Sequence, residues 1–179
     1  MKAEVFLNRL SEAEQRFKIF LDMDGVLCDF ERAMKVIDLG LFVQHKIDNS
    51  KSWGMIGNAG VEYWSDMPWT PDGKLLWSKL KSLKPTILSS TPRLERGVVH
   101  QNAKEGKRIW LQRELGNDMA KRAMIVPYKK LKQKYSGKRN ILIDDFRSNI
   151  EDWENKGGIG ILHKDALTTI KKLKELGAL

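Results

Sequence analysis

The sequence predicts an α/β protein with a doubly wound, parallel β-sheet and a small, mostly helical cap inserted after the first strand. Short apolar, β-branched runs alternate with segments of helical spacing in the second half of the chain, and strands that alternate with helices form parallel sheets covered on both faces. Between the first two runs lies a long stretch without a clear strand pattern. A length of 179 residues fits one domain with such an insertion.

The elements follow from the spacing of apolar residues and from the turn residues that bound them. Strands are predicted at 17–21, 86–88, 124–126, 140–143 and 159–162. Helices are predicted between the later strands, at 104–115, 128–135, 148–155 and 165–176. Ligand sites in such sheets lie beyond the carboxyl ends of the strands, so the residues that follow these runs are the candidates for function.

The insertion is predicted to span about 31–83, leaving a core of about 17–30 and 84–179 within a single domain, 1–179. Two of its helices are expected near 31–38 and 74–83, the second opened by the turn "PDG". Several tryptophans gather around "DMPWTPDGK". Residues 1–16 carry apolar positions that suggest a helix packed on the domain or on a partner: Val5, Phe6, Leu7 and Leu10.

Composition excludes several classes of protein. A hydrophobic content of 41% with 31% charged residues is typical of a soluble globular domain, and no apolar run approaches the roughly 18 residues of a membrane span. The N-terminal sequence does not resemble a signal peptide, so a cytoplasmic location is expected. Cys28 is the only cysteine, which excludes an internal disulfide and a cysteine-based zinc site. Nothing in the sequence indicates the oligomeric state.

The net charge of +9 is concentrated in one stretch, which contains no acidic residue between Asp118 and Asp144. Such a field attracts anions, including nucleotides and nucleic acid, although a solvated surface explains it equally well. The basic residues of the stretch are Lys121, Arg122, Lys129, Lys130, Lys132, Lys134, Lys138 and Arg139.

Two carboxylates, Asp22 and Asp24, stand one residue apart at the end of the first apolar run, directly before Gly25. Like charges this close repel, so their placement indicates a cation held between them. Gly25 allows a sharp backbone turn with no Cβ in the way. Acidic residues also follow a later strand, at Asp144 and Asp145, and all four carboxylates are expected at one edge of the sheet.

Four motifs in order, "DMDGVLCDF", "ILSSTPR", a lysine within "EGKRIW", and "LIDDFRSN", resemble those of the haloacid dehalogenase superfamily of phosphotransferases, and in particular its deoxyribonucleotidase-like branch. The resemblance runs from about 18 to 163. It implies that Asp22 is a nucleophile that forms an aspartyl-phosphate, and that Asp24 protonates the leaving alkoxide and then activates water. Cleavage of a phosphate monoester also requires positive charge at the phosphoryl oxygens.

The resemblance implies that the phosphate is bound by the second and third motifs. Ser90 is its hydroxyl ligand, with Ser89 as the alternative register, and Thr91 and Arg93 supply further donors. A lysine of the third motif neutralises the phosphoryl group and the charge of the nucleophile. Lys107 is assigned this role because it precedes "IW" at a helix start, and Lys104 is the alternative.

The fourth motif completes an oxygen-rich site that suits Mg²⁺, which binds few carboxylates together with water and substrate phosphate. The resemblance implies direct coordination by Asp145 and Asp22, coordination through water by Asp144, and a further bond from the backbone carbonyl of Asp24.

The insertion is expected to decide the substrate. Its aromatic residues Phe30, Trp64 and Trp69 form either a slot on which a nucleobase stacks or the core of the cap. The expected function is a Mg²⁺-dependent phosphomonoesterase, most specifically a 5'-nucleotidase acting on nucleoside monophosphates. One alternative is a phosphatase for nucleic-acid ends, which the basic stretch 121–139 favours; the other is a non-catalytic nucleotide or nucleic-acid binding protein.

Overall fold

The computed structural model describes residues 17–179, and within them five parallel strands form one sheet in the order β3-β2-β1-β4-β5. The predicted helix within 1–16 lies outside the described residues. The first strand lies at the centre of the sheet, so both of its neighbours bring their carboxyl ends beside its own. The strands are β1 (Lys18–Leu21), β2 (Thr86–Ser90), β3 (Met124–Val126), β4 (Asn140–Asp144) and β5 (Ile159–Leu162).

Successive residues of the strands enter two separate cores, one on each face of the sheet. Ile19 and Leu21 of β1 belong to the larger core, whereas Phe20 belongs to the smaller one with Leu142 and Trp153. Side chains alternate between faces along a strand, so burial of every position requires cover on both sides. The prediction of a doubly wound α/β fold is therefore confirmed.

Residues 30–83, all described, contain five α-helices and a short 3₁₀-helix (Lys81–Leu83) between β1 and β2. Helices predicted at 31–38 and 74–83 are found at Phe30–Ile37 and Gly73–Leu80, and the other three were not predicted. Asp29 caps the first of them by accepting a hydrogen bond from the Arg32 N–H at 2.8 Å. In chain order the helices are α1 (Phe30–Ile37), α2 (Leu41–Ile47), α3 (Asn49–Asn58), α4 (Glu62–Ser65) and α5 (Gly73–Leu80).

The second half of the chain alternates strands and helices as the sequence predicts, with different bounds. The helix predicted at 104–115 begins earlier, and another short helix follows it. The segment predicted as a helix at 128–135 is a 3₁₀-helix (Lys129–Tyr135), preceded by another at Leu94–Arg96. The α-helices are α6 (Val98–Leu115), α7 (Asn117–Arg122), α8 (Arg147–Glu154) and α9 (Ala166–Glu175). Among residues 17–179, none of the helices is both long and apolar enough for a membrane span.

Candidate active site

The carboxyl ends of β1 and β4 bring two aspartates side by side. Leu21 pairs with Ile143 in the parallel register, and the Asp22 N–H donates to the carbonyl of Ile143 at 2.9 Å. Asp22 directly follows β1 and Asp144 ends β4, so both side chains leave the sheet at the same edge. Both residues are buried, with 5% and 0% of their surface exposed.

A sharp turn after β1 carries Asp24 back to this edge. Gly25 has a φ of +72°, in the left-handed region that glycine enters without steric cost. Its N–H donates to the carbonyl of Cys28 at 2.8 Å, which closes the turn. A Cβ at this position would overlap the carboxylate of Asp145. The glycine therefore serves two purposes: it allows the turn, and it leaves the room that Asp145 occupies.

Three of these carboxylates could hold a metal ion. Asp22, Asp144 and Asp145 each offer an oxygen, and those oxygens lie within 4.8 Å of one another. Oxygen ligands in a group of this size suit a hard divalent cation such as Mg²⁺. Asp145 is the exposed member of the group and Asp144 is fully buried.

Asp144 is held by the protein from several directions. Its Oδ1 accepts hydrogen bonds from the Phe146 N–H and the Asn149 side chain, both at 2.9 Å. Its Oδ2 accepts from Lys132 at 2.7 Å and from Asn149 at 3.0 Å. These bonds fix the orientation of the carboxylate beside the nucleophile candidate Asp22. Asn149 was not among the candidate residues predicted from the sequence, although it closes the motif "LIDDFRSN".

Lys132 lies between the two buried aspartates. Its Nζ is 2.7 Å from Oδ2 of Asp22 and 2.7 Å from Oδ2 of Asp144, and the lysine itself is 2% exposed. Burial alone lowers the pKa of Lys132, but the two carboxylates outweigh it, so the pKa lies above its usual value. The lysine therefore stays charged and neutralises Asp22.

Lys107 was expected to neutralise the charge of the nucleophile, but the lysine that contacts Asp22 is Lys132; the role of Lys107 toward a phosphate stays a prediction. The ion pair with the nucleophile candidate Asp22 is therefore formed by a residue of the 3₁₀-helix that precedes β4. The available signal was a lysine 12 residues before Asp144, but seven other basic residues in the same stretch concealed it.

Lys107 reaches the same edge of the sheet from the buried face of α6, and pairs with Asp24. Its Nζ lies 2.5 Å from Oδ2 of Asp24, and it donates to Oγ of Ser89 at 2.9 Å and to the carbonyl of Ser90 at 2.6 Å. An ammonium group has three donors, so these bonds use all of them. Lys104, the rival in the sequence, is exposed.

Gly106 allows α6 to approach the cap closely enough for this contact. A Cβ on Gly106 would overlap Cβ of Trp64 and the carbonyl of Val61. The close approach also leaves the Lys107 ammonium 5.5 Å from the centre of the Trp64 ring. The cap therefore forms one wall around Lys107.

One oxygen of Asp24 has no hydrogen-bond partner among residues 17–179. This atom, Oδ1, is buried, whereas Oδ2 is bound by Lys107. A buried oxygen without a partner is unfavourable unless a ligand, an ion or a proton satisfies it. The arrangement leaves Asp24 able to hold a proton on the oxygen that Lys107 does not occupy.

The residues of the second motif differ in burial and in their hydrogen-bond partners. Ser89 is fully buried against Lys107, and Ser90 is half-buried at the end of β2. Oγ1 of Thr91 lies 2.8 Å from Nδ1 of His100, and its N–H donates to the carbonyl of Val126 at 2.9 Å. Arg93 is exposed at the start of the 3₁₀-helix Leu94–Arg96. The roles of these residues toward a phosphate stay predictions.

The predicted aromatic slot is divided between two places. Phe30 and Trp64 pack together with ring centres 5.8 Å apart, but Trp64 is 1% exposed and presents no free face to a base. Trp69 instead packs on Trp110 at 4.8 Å and donates from Nε1 to Glu114 at 2.8 Å. Trp64 is therefore a residue of the cap core and not part of an open slot. Stacking on the half-buried Phe30 or Trp69 stays a prediction.

Burial and mutual repulsion shift the acidic groups. Burial raises the pKa of Asp22 well above its usual range, Lys132 opposes this, and the other aspartates reinforce it. Asp145 is exposed as a whole residue, but its carboxyl group lies against the turn at Gly25. Desolvation of this group, followed by the charges of Asp144 and Asp24, raises the pKa of Asp145 to about 6. A divalent cation among these oxygens would favour the ionised forms.

The donor set fits such a cation. Four carboxyl groups meet here, and they outnumber the two buried ammonium groups, those of Lys107 and Lys132, by two. Asp22, Asp144 and Asp145 are the residues that would hold the ion; the predicted contribution of the Asp24 carbonyl stays a prediction. The space that Gly25 leaves for the Asp145 carboxylate is part of this arrangement.

Comparison with known proteins supports the fold. No protein-family model matches the chain, and no curated protein is significantly similar to it. A hydrolase from Streptococcus pneumoniae TIGR4 superposes with a TM-score of 0.53 and 11% identity, over 89% of this chain and 99% of that one. At such low identity the similarity establishes a common fold, over most of the chain.

Two further solved structures align less well. A haloacid dehalogenase-like family hydrolase from Streptococcus pneumoniae has a TM-score of 0.42 and 13% identity, over 81% of this chain and 83% of that one. A protein from Thermotoga maritima assigned as a β-phosphoglucomutase has a TM-score of 0.43 and 16% identity, over 87% and 90%. Neither alignment adds to the conclusion on the fold.

Proposed function

We propose that the protein is a Mg²⁺-dependent phosphomonoester hydrolase of the haloacid dehalogenase superfamily, acting on nucleotides as a 5'-nucleotidase or deoxyribonucleotidase. The observation that carries the proposal is the meeting of Asp22, Asp24, Asp144 and Asp145 with two buried lysines at one edge of the sheet. The common fold with a protein described as a hydrolase supports it, as do the four ordered motifs of the sequence.

In the first step a carboxylate oxygen of Asp22 attacks the phosphorus atom. The bond between phosphorus and the ester oxygen breaks, and the departing alkoxide takes a proton from Asp24. In the second step Asp24 removes a proton from water, which attacks the phosphorus of the aspartyl-phosphate. The bond to Asp22 then breaks, inorganic phosphate leaves, and both carboxylates return to their starting states.

The two lysines have different tasks in this proposal. Lys132 favours the ionised, nucleophilic form of Asp22 and so opposes the effect of burial, because a neighbouring positive charge stabilises the carboxylate. Lys107 orients Asp24, and since its three donors are already used, its charge acts on the phosphoryl group without a direct bond in this arrangement. A bound divalent cation would supply further positive charge to the phosphoryl oxygens.

The predicted substrate is a nucleoside monophosphate. One specific observation favours the alternative of a nucleic-acid end, namely an open groove lined by Lys130, Lys134 and Lys156. Both substrates present the same reacting group, a phosphate monoester on a nucleoside. A screen of nucleoside 5'- and 3'-monophosphates against sugar phosphates, with Mg²⁺ and then with EDTA, tests activity, metal and substrate class together.

The covalent step has its own test with 4-nitrophenyl phosphate, whose leaving group needs no proton. We expect Asp24→Asn to release a stoichiometric burst of nitrophenolate and then stall, because the aspartyl-phosphate forms but is not hydrolysed. Asp22→Asn should release none. The exposed carboxylate of Asp118 provides a matched control, Asp118→Asn, with wild-type turnover. Wild-type turnover by Asp22→Asn would refute the assigned nucleophile.

A further inference from the structure

A groove lies along the 3₁₀-helix Lys129–Tyr135, on the side of the sheet covered by α8. Its volume is about 540 Å³, within the range of about 300–1,000 Å³ that ligand sites occupy. Within the described part of the chain, the side chains that line it include three lysines and no carboxylate. The lining residues include Tyr128, Lys130, Lys134 and Lys156, together with the neutral polar residues Gln133 and Ser136.

The groove is positively charged and open to solvent. Lys130, Lys134 and Lys156 are exposed, so their ammonium groups can meet an anion from the solvent side. The adjacent helix α8 carries three acidic residues, Glu151, Asp152 and Glu154, and none of them lines the groove. Several lysines along one groove, with no carboxylate between them in residues 17–179, favour a chain of phosphates over a single anion.

One aromatic ring, that of Tyr128, lines the groove, and a second, that of Phe146, directly follows the candidate metal ligand Asp145. Tyr128 is 39% exposed and Phe146, which directly follows Asp145, is 48% exposed. The ammonium group of Lys129, the residue after Tyr128, lies 3.5 Å from the centre of the Phe146 ring. Exposed rings beside a basic groove are the means by which proteins bind unpaired bases.

The topology connects groove and site. Lys132 projects from the same 3₁₀-helix into the site, where it meets Asp22 and Asp144. Lys156 follows the end of α8, a helix that begins beside Asp145 at the carboxyl edge of the sheet and runs back toward the opposite edge. The groove therefore leads away from the site along one side of the domain.

We propose that a single strand of nucleic acid lies in this groove, with its phosphates on Lys130, Lys134 and Lys156 and a base on Tyr128, so that its phosphorylated end enters the Asp22 site. The delivery of a phosphorylated end rests on the proposed phosphatase; the binding of a strand does not. Binding and hydrolysis can therefore be tested apart.

The test measures binding of a fluorescein-labelled single-stranded oligonucleotide by anisotropy across a salt series, without Mg²⁺. Each phosphate contact contributes roughly 0.7 to the slope of log affinity against log salt for single strands. We expect the triple variant Lys130→Ala, Lys134→Ala, Lys156→Ala to lower that slope by about 2 and to weaken binding at least tenfold. Tyr128→Ala alone should weaken it about fivefold or more.

The matched control changes the net charge equally on the other face of the sheet. Lys171, Lys172 and Lys174 are exposed on α9, which packs through Ile170 and Leu173 into the opposite core. The triple variant Lys171→Ala, Lys172→Ala, Lys174→Ala should bind the oligonucleotide within about twofold of wild type, since only general attraction is reduced. Circular dichroism establishes that both triple variants are folded.

Several outcomes would overturn the proposal. Equal loss in both triple variants would show that net charge, not the groove, attracts the strand. Tighter binding of a blunt duplex or of anionic vesicles than of the single strand would show that the groove binds a partner other than single-stranded nucleic acid. If the strand binds as proposed but no phosphate ester is hydrolysed, the proposed function is wrong and the proposal of strand binding in the groove is retained. If mononucleotides are hydrolysed but the strand does not bind, the proposal of strand binding is wrong and the proposed function is retained.

Discussion

The ammonium group of Lys132 lies 2.7 Å from the carboxylate of Asp22, and neither side chain is more than 8% exposed. The same ammonium group bonds Asp144 at 2.7 Å, so one lysine holds together two carboxylates from different strands. The proposed nucleophile is thereby held in position before any substrate arrives, with a positive charge beside it that favours its ionised form.

Lys132→Met should therefore destabilise the protein more than a typical substitution. It leaves Asp22 and Asp144 buried beside each other without their counter-ion, and loss of one partner from a buried ion pair costs about 3–5 kcal/mol. The measurement is the free energy of unfolding from urea titrations near neutral pH. Lys130→Met, an exposed change in the same 3₁₀-helix, should cost less than about 0.5 kcal/mol. Equal costs for the two variants would contradict the role given to Lys132.

Gly25→Ala should impair the metal site beyond its effect on stability. The added Cβ would overlap the carboxylate of Asp145, which must then move. Gly177→Ala is the matched control: Gly177 has a φ of +70° against +72° for Gly25, and no atom of residues 17–179 outside its immediate neighbours would lie within 4 Å of an added Cβ. Both variants should lose about 1–2 kcal/mol of stability from the left-handed backbone.

Only Gly25→Ala should also lose its response to Mg²⁺, measured as phosphatase activity and as the rise in melting temperature on adding the ion. A normal Mg²⁺ response in Gly25→Ala would show that the position of Asp145 does not matter for the metal.

Mg²⁺ should raise the melting temperature of the wild-type protein, because an ion that binds only the folded state stabilises it. Asp145→Asn should lose most of this rise. Without metal, the same variant should melt at or above the wild-type temperature, since one of the mutually repelling carboxylates is gone. Glu151→Gln, an exposed change on α8, should keep the full rise. A Mg²⁺ effect unchanged by Asp145→Asn would exclude this residue as a ligand.

Stability should fall as the solution is acidified below about pH 6.5, in part because of His45. Burial, followed by the charge of Arg96, holds the pKa of His45 below its ordinary value of 6.5. The unfolded chain therefore takes up a proton first as the pH falls, which favours unfolding until the folded protein is protonated as well. The stability that neutral His45 contributes is therefore fully present above pH 6.5, the ordinary pKa of histidine, and declines as the pH falls below it.

His45→Gln should flatten this part of the profile, measured as the urea midpoint at about pH 7.5 and about pH 5.5. Arg96→Ala should flatten it partly, because the burial of His45 remains while one repelling charge is removed. A profile that keeps its full slope in His45→Gln would assign the acid sensitivity to other groups.

The amino-acid sequence by itself determined the alternation of strands and helices that builds the parallel sheet, and the edge of the sheet at which the candidate site residues lie. Both depend on local patterns: a strand is marked by a short apolar run, and the residue after it must emerge at the strand's carboxyl end. Asp22, Asp24, Asp144 and Asp145 could be grouped for this reason. Lys107 could be named as a candidate site lysine because it stands at a fixed place in the motif "EGKRIW".

Only the tertiary structure decided which lysine meets which aspartate. Lys132 and Asp22 are far apart in the chain, and their contact depends on how the 3₁₀-helix Lys129–Tyr135 crosses the edge of the sheet, which no local pattern specifies. The same holds for Trp64, whose burial follows from the close approach of α4 and α6 at Gly106. Local spacing fixes where a side chain leaves its own element, whereas its partner is fixed by the packing of distant segments.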